Sequence, residues 1–375
     1  MLEYLITIIL SISFCIFSEK KIIKPKHKRV AIFLSIMAVL IPCVLAGLRE
    51  PGVGIDSGTY AYTDFMVAKR YNAFSTYYLH SAVKEILYPV LVYVSSRVTD
   101  SFFVLFFISQ VLIIAPVYAT LYLIKKRRPD FSMIISYAAF LFLYYNLSLS
   151  IIRQCMATSF VVLGYTIYKL NKKYKKSSII LFVLAVLSHS TAIVLILSII
   201  LLDWIINDQK KEIWKKMLII AAIMVVVLNI QNIVLLAAKF LPSLMARYID
   251  TFNTIDRSGL SNGDTLMKLV FFIMCLLGTK RDTGKNEMLL SSYTFIGAIG
   301  IIFQFVSIFS EYLIRISYYF QFFMIIPIGL VHTAFSKESK QWVKIGTVLL
   351  LFAYWYIVYV SWGWHGTVPF KFAAN

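Results

Sequence analysis

Phe131-Ser-Met-Ile-Ile-Ser-Tyr-Ala-Ala-Phe140, Leu141-Phe-Leu-Tyr-Tyr-Asn146-Leu-Ser-Leu-Ser150 and Ile151-Ile-Arg153-Gln154-Cys-Met-Ala-Thr-Ser-Phe160, running on to Tyr168, form a stretch in which Arg153 is the only side chain charged at neutral pH. A helix needs roughly 17 to 25 apolar residues to cross a bilayer. The stretch therefore predicts two spans, 131–149 and 151–170, with Arg153 and Gln154 beside their junction. A guanidinium at membrane depth costs about 2.5 to 3.5 kcal/mol on insertion scales, so it marks a functional site by default. The alternative is a side chain that snorkels to the headgroups from a helix end. What separates the two is whether other embedded polar residues gather on the same side.

The whole chain has this character. Of its 375 residues 60% are hydrophobic and only 15% charged, with a mean hydropathy of +0.79, where a soluble domain carries about 25% charged residues. The fold class is all-α: a polytopic integral membrane protein with short or re-entrant helices on its outer side. No polar segment is long enough for a separate soluble domain, so residues 1–375 are one membrane domain. The first apolar run, Leu2 to Phe17, has neither a basic lead-in nor a small-residue cleavage site and reads as a retained helix. The net charge is +19, yet the basic residues punctuate the apolar runs instead of forming one patch, which argues against nucleic acid. Cys15, Cys43, Cys155 and Cys275 stand isolated in apolar sequence and read as small core residues. With no DxD, no HExxH and no carboxylate cluster at helical spacing, neither a metal nor another cofactor is expected.

Basic clusters fall at Lys20–Arg29, Lys125–Arg128, Lys172–Lys176, Lys210–Lys216, Lys280–Lys285 and Lys337–Lys344. Placing all six in the cytoplasm satisfies the positive-inside rule. Twelve spans result, at 2–17, 30–47, 101–124, 131–149, 151–170, 178–189, 190–206, 217–238, 265–279, 288–309, 316–334 and 345–362, with both termini outside. The apolar run 178–206 has basic clusters on both flanks, so a hairpin of two short helices meeting at Ser188-His189-Ser190 fits better than one span. Broken helices of this kind persist only where protein or a water-filled cavity satisfies their ends. Two long outer segments remain: 48–100, with an interfacial or re-entrant helix at 86–98, and 239–264.

This topology brings Arg49, Asp56, Glu85, Arg153, Gln154, His189, Glu311 and Arg315 to the outer ends of helices, where they can line one outward-opening cavity. Arginines beside carboxylates suit a lipid-linked phosphate or pyrophosphate, because the guanidinium fork pairs with phosphate oxygens and keeps its charge. A departing pyrophosphate gains negative charge, so fixed cations there stabilise the transition state more than the ground state. An acceptor hydroxyl needs a base, and Asp56, Glu85 and His189 are the candidates. Each has a plainer reading: Asp56 as a turn former, Glu85 as the ion-pair partner of an arginine, His189 as a satisfied polar residue.

Taken in order, Leu48-Arg49, Gly54-Ile-Asp56 with Tyr60, Glu85 with Tyr88, Ile152-Arg153-Gln154 with Ala157, Ser188-His189-Ser-Thr-Ala192 and Arg315-Ile-Ser-Tyr318-Tyr319-Phe320 resemble the EpsG-like family of bacterial polysaccharide polymerases, the Wzy-type proteins of exopolysaccharide, capsule and O-antigen pathways. The resemblance covers about residues 45 to 330. It implies a multispanning enzyme of the cytoplasmic membrane, similar to GT-C glycosyltransferases, that joins oligosaccharide repeat units carried on undecaprenyl pyrophosphate at the outer face. It further implies inversion at the anomeric carbon, and a flippase and a chain-length regulator as pathway partners. By the same resemblance Arg49, Asp56, Glu85, Arg153, Gln154, His189 and Arg315 sit at the family's marked polar positions; the roles we assign are pyrophosphate and sugar binding for Arg153, Arg315, Gln154, Arg49 and Tyr60, with Arg49 alternatively pairing with Asp56 or Glu85, and proton acceptance for His189, Asp56 or Glu85. Asn146 lies too far before Arg153 to be given a role. A flippase or exporter with an arginine anion site, a glycan ligase and an O-acyltransferase using an intramembrane histidine are the competing functions.

Overall fold

The computed structural model describes residues 1–23, 25–170, 175–207, 262–280, 287–307 and 311–373. The span at 217–238, the basic cluster at 210–216, and all but the edges of the 239–264 loop and the 280–285 cluster lie outside these residues. The first two helices, α1 (Leu2–Ile22) and α2 (Lys28–Gly47), form an antiparallel pair. Ser11 and Ser18 donate across it to the carbonyls of Ala38 and Ala31. Three short helices, α3 (Tyr62–Arg70), α4 (Phe74–His80) and α5 (Leu87–Val98), fill the first long loop. The last of them is the helix expected at 86–98. A long helix, α6 (Phe103–Arg127), then runs back through the bundle.

The span expected at 131–149 is broken. It consists of α7 (Met133–Leu143) and a short α8 (Tyr145–Ser150), and α9 (Ile152–Leu170) starts afresh beyond Ile151. Next come α10 (Lys175–Ser188) and α11 (Ala192–Asn207), then α12 (Asn262–Lys280) and α13 (Glu287–Val306). The span expected at 316–334 is likewise divided, into α14 (Glu311–Gln321), a 3-10 turn and the brief α15 (Ile325–Ile328). The final helix, α16 (Lys340–Trp355), continues as a π-helix to Ser361.

Among the described residues four helices are long and apolar enough to cross a bilayer: Leu2–Ile22, Lys28–Gly47, Phe103–Arg127 and Lys340–Ser361. Several shorter apolar helices accompany them, Met133–Leu143 among them almost wholly buried, so the protein is helical and membrane-embedded. Breaks are tolerated in α7–α9 because the helices around them, not lipid, surround the freed backbone groups. No strand occurs among the described residues; a single bridge joins Arg49 to Phe372.

The pair α10–α11 is the hairpin expected from the charge pattern. The chain turns at His189–Thr191, and Asp203 on α11 returns to the far end of α9, where its carboxylate meets Lys169 at 2.5 Å and accepts from Tyr165 at 2.9 Å. A second buried ion pair stands at that same end. Glu19 meets Lys125 at 2.7 Å and also accepts from the amide of Ile134, satisfying one of the orphan donors at the start of α7. The four cysteines are buried, as expected of small core residues.

One element was not expected. Beyond α16 the chain folds back as a strap, residues 363–373, across the opposite end of the bundle. Ala373 donates to the carbonyl of Leu48, Glu50 to that of Lys371 and Gly54 to that of Gly366. Thr367 is the strap's inner anchor: its carbonyl accepts from Tyr4 at 2.6 Å and its hydroxyl from Asn146 at 2.9 Å. The same Asn146 accepts from the Trp355 indole at 2.7 Å. Asn146 therefore ties α8, α16 and the strap together inside the core.

Candidate functional site

The break between α8 and α9 builds the site. Ending α8 at Ser150 leaves orphan carbonyls in a buried place, where an unmet hydrogen bond costs about 1 to 3 kcal/mol. Gln110 donates to the carbonyl of Ser148 at 3.0 Å, and Arg49 to that of Leu149 at 2.6 Å. The restart at Ile152 then sets Arg153 and Gln154 in the first turn of α9. Gly54 is required here for two reasons. Its φ is +102°, and a Cβ would lie 2.7 Å from the Leu149 carbonyl oxygen. The close approach lets the next residues lie over the break, so the Asp56 amide donates to the Ser150 hydroxyl at 3.3 Å.

A cavity of about 40 Å³ opens above the break, lined by Asp56, Tyr60, Ile151, Arg153, Gln154, His189 and Arg315. Six of these seven are residues singled out in the sequence. Arg153 lies over the Tyr60 ring, 4.8 Å from its centroid, and its NH1 meets Glu85 at 2.8 Å. Glu85 sits behind the cavity wall and serves two elements at once. Its other oxygen is 3.0 Å from His189 Nδ1 and within 3.3 Å of the Ser190 hydroxyl. Burial alone would raise the Glu85 pKa, but the hydrogen bond from His189 and the Arg153 guanidinium hold it down at about 2. On the far wall Arg315 pairs with Asp56 at 3.3 Å, and the Gln154 amide donates to the Arg315 carbonyl. Tyr319 stacks near the His189 ring and shares a hydrogen bond of 2.7 Å with Thr191.

Arg49 departs from expectation. It is fully buried, faces Phe106 with 4.1 Å between guanidinium and ring centroid, and pairs with neither Asp56 nor Glu85. Its Nε and NH2 have no partner among the described residues. Burial lowers its pKa to about 10, which leaves it charged at neutral pH. Its geometry is that of a cap on the broken helix, a need that sequence alone does not reveal. Glu85, named among the candidate bases, has both oxygens engaged, by Arg153 on one side and by His189 and Ser190 on the other, and does not line the cavity.

Several neighbours escaped the sequence reading. Asp64 on α3 accepts from the Ala82 amide at 2.9 Å and from the Ser81 hydroxyl at 3.2 Å, and so fixes the turn that presents Glu85. The signal was a lone acid among aromatic residues one turn after Tyr60. Tyr319 and Ser190 lay inside the motifs but carried no role. The strap was marked by Gly363, Gly366 and Pro369. Among the described residues no group of three or more His, Cys, Asp or Glu side chains gathers as a metal site would need.

A family model described as the EpsG family matches residues 32–372. No curated protein and no solved structure matches the chain.

Proposed function

The chain belongs to the EpsG family, and from that premise we propose that it is a Wzy-type polysaccharide polymerase joining repeat units carried on undecaprenyl pyrophosphate at the outer face of the bacterial cytoplasmic membrane. The observation that carries this reading is the double engagement of Glu85, which holds Arg153 and His189 on one cavity wall. Phosphate recognition falls to Arg153 and Arg315. Arg153 is clamped by a carboxylate on one edge and by Tyr60 on a face, which leaves part of its donor fork for an anion. Arg315 is half exposed and only loosely held by Asp56, so an incoming pyrophosphate can displace that carboxylate.

His189 is the base. An Nδ1–H donated to Glu85 leaves Nε2 with its lone pair, the tautomer that accepts a proton from a hydroxyl. The acceptor hydroxyl loses its proton to Nε2 as its oxygen bonds the anomeric carbon. The bond from that carbon to the pyrophosphate oxygen breaks, and the electron pair leaves with the lipid pyrophosphate. Attack opposite the leaving group inverts the centre. Arg153 and Arg315 stabilise the charge that develops on the departing oxygen, while Arg49 adds positive potential from behind the wall. Asp56 is a second carboxylate at the cavity and holds Arg315 until substrate arrives. The orientation follows from the charge pattern: the basic clusters close the helices at the end opposite the cavity, so the cavity faces outward. Twelve spans, both termini outside and a GT-C-like arrangement complete the reading, with the flippase and chain-length regulator of the pathway as partners.

The test is Arg153→Ala in a producing strain. The variant reaches the membrane in normal amount, polymer disappears and single repeat units accumulate on lipid. Polymer of normal length would remove Arg153 from the site.

A further inference from the structure

At the rim of the strap three of four successive residues, Gly363, His365 and Gly366, take left-handed backbone angles, with φ of +65°, +63° and +60°. Glycine occupies two of them at no steric cost. Histidine at the third costs about 1 to 2 kcal/mol of backbone strain. A turn alone does not ask for it, since glycine would serve there as it does on either side. The imidazole is ringed by Tyr318, Tyr359 and Trp364, with centroids 6.2, 6.3 and 6.2 Å away. Its nitrogens nonetheless make no hydrogen bond among the described residues, although the ring is only partly covered. Burial, helped by Lys268 and Arg315, lowers its pKa to about 3, so it is a neutral ring with one donor and one acceptor.

Behind it lies a notch of about 10 Å³, lined in part by Lys268, Tyr318, Tyr354, Tyr359 and Trp364. That is room for a single water-sized group. The notch and the Asp56–Arg315 cavity share no lining residue but are linked through their neighbours. Gly366 accepts from the Gly54 amide beside Asp56, Arg315 acts on the imidazole, and Tyr318 shares α14 with Arg315. The polar groups deeper in are already engaged: Lys268 meets Asp264 at 2.9 Å, and Tyr354 donates to that carboxylate at 2.8 Å. His365 is the group left with bonds to give.

We propose that His365 and this notch form a sugar-reading subsite, in which the imidazole hydrogen-bonds one hydroxyl of the saccharide whose reacting end lies at Asp56 and Arg315. This rests on the polymerase reading above and adds a determinant of which repeat unit is accepted. The notch admits one hydroxyl and nothing larger. A site built around a hydroxyl discriminates strongly against the sugar that lacks it, because its polar group is then left unpaired.

The decisive variant is His365→Gly, which removes the imidazole and relieves the strained backbone. Purified full-length protein is titrated with the saccharide released by mild acid from the lipid-linked repeat unit and, separately, with inorganic pyrophosphate. The expected result is an unchanged or higher thermal midpoint, saccharide binding weakened at least tenfold and pyrophosphate binding unaltered. His365→Asn, which tolerates the left-handed angle and keeps a hydrogen-bonding group, restores part of the loss. Saccharide binding equal to wild type in His365→Gly overturns the subsite and leaves the polymerase reading intact. Wild-type protein that binds neither probe and makes no polymer overturns both.

Discussion

Replacing Glu85 by glutamine keeps the shape of the side chain and removes the charge that ties Arg153 to His189. Holding a carboxyl at about 2 against an ordinary value of 4.5 corresponds to about 3 kcal/mol at roughly 1.4 kcal/mol per unit. Breaking a buried ion pair from one side costs about 3 to 5 kcal/mol. The lower end applies, because Arg153 is 22% exposed and glutamine still offers it an oxygen. The expected loss of stability is therefore about 3 kcal/mol. The effect on chain growth is larger in kind. Without the carboxylate the imidazole loses the partner that selects its tautomer, and a positioned general base contributes about 10²- to 10⁴-fold. The assay is polymer formed per unit of membrane-resident protein, measured for Glu85→Gln, His189→Ala and the double variant. If Glu85 acts in part through His189, the double variant loses less than the product of the two single losses. Losses that multiply, or Glu85→Gln retaining full activity, would refute the reasoning.

Three further outcomes follow from the geometry. Asp64→Ala frees the 81–83 turn, costs about 1 to 3 kcal/mol through the lost hydrogen bonds of the Ala82 amide and the Ser81 hydroxyl to a carboxylate, and lowers polymer formation more than it lowers protein level, as read by immunoblot beside the polymer assay. Gly54→Ala places a methyl against the Leu149 carbonyl at a positive φ, costs about 1 to 3 kcal/mol, and shows as a lowered thermal midpoint with reduced activity. Glu85 has a depressed folded pKa, so its stabilisation is fully present above about 4.5 and is lost as pH falls toward about 2. The gap in thermal midpoint between wild type and Glu85→Gln should thus stay constant from pH 7 to about 5 and close below that.

Much of the site is legible in the sequence because membrane-embedded polar residues are costly and therefore few. Asp56, Tyr60, Arg153, Gln154, His189 and Arg315 stand out from apolar surroundings, and all six line one cavity. The hairpin at His189 follows from charge alone, since only a turn there keeps both flanking basic clusters on one side. The capping contact of Arg49 was not legible, because a cap and a phosphate ligand look alike in sequence and the orphan carbonyl of Leu149 exists only once α8 has ended. Glu85 was left among the bases because nothing in the sequence says that two cations reach it from different helices. The strap was missed for a related reason. Its contacts join residues 366–373 to residues 4, 48–54 and 146, pairings of long sequence separation that no local pattern encodes.

The most direct test of the polymerase account is reconstitution of the purified protein in liposomes with labelled undecaprenyl-pyrophosphate-linked repeat units. The account predicts a ladder of products with new glycosidic bonds, formed without any other protein and absent with Arg153→Ala. Movement of label between leaflets with no new bonds would contradict it and make the protein a transporter.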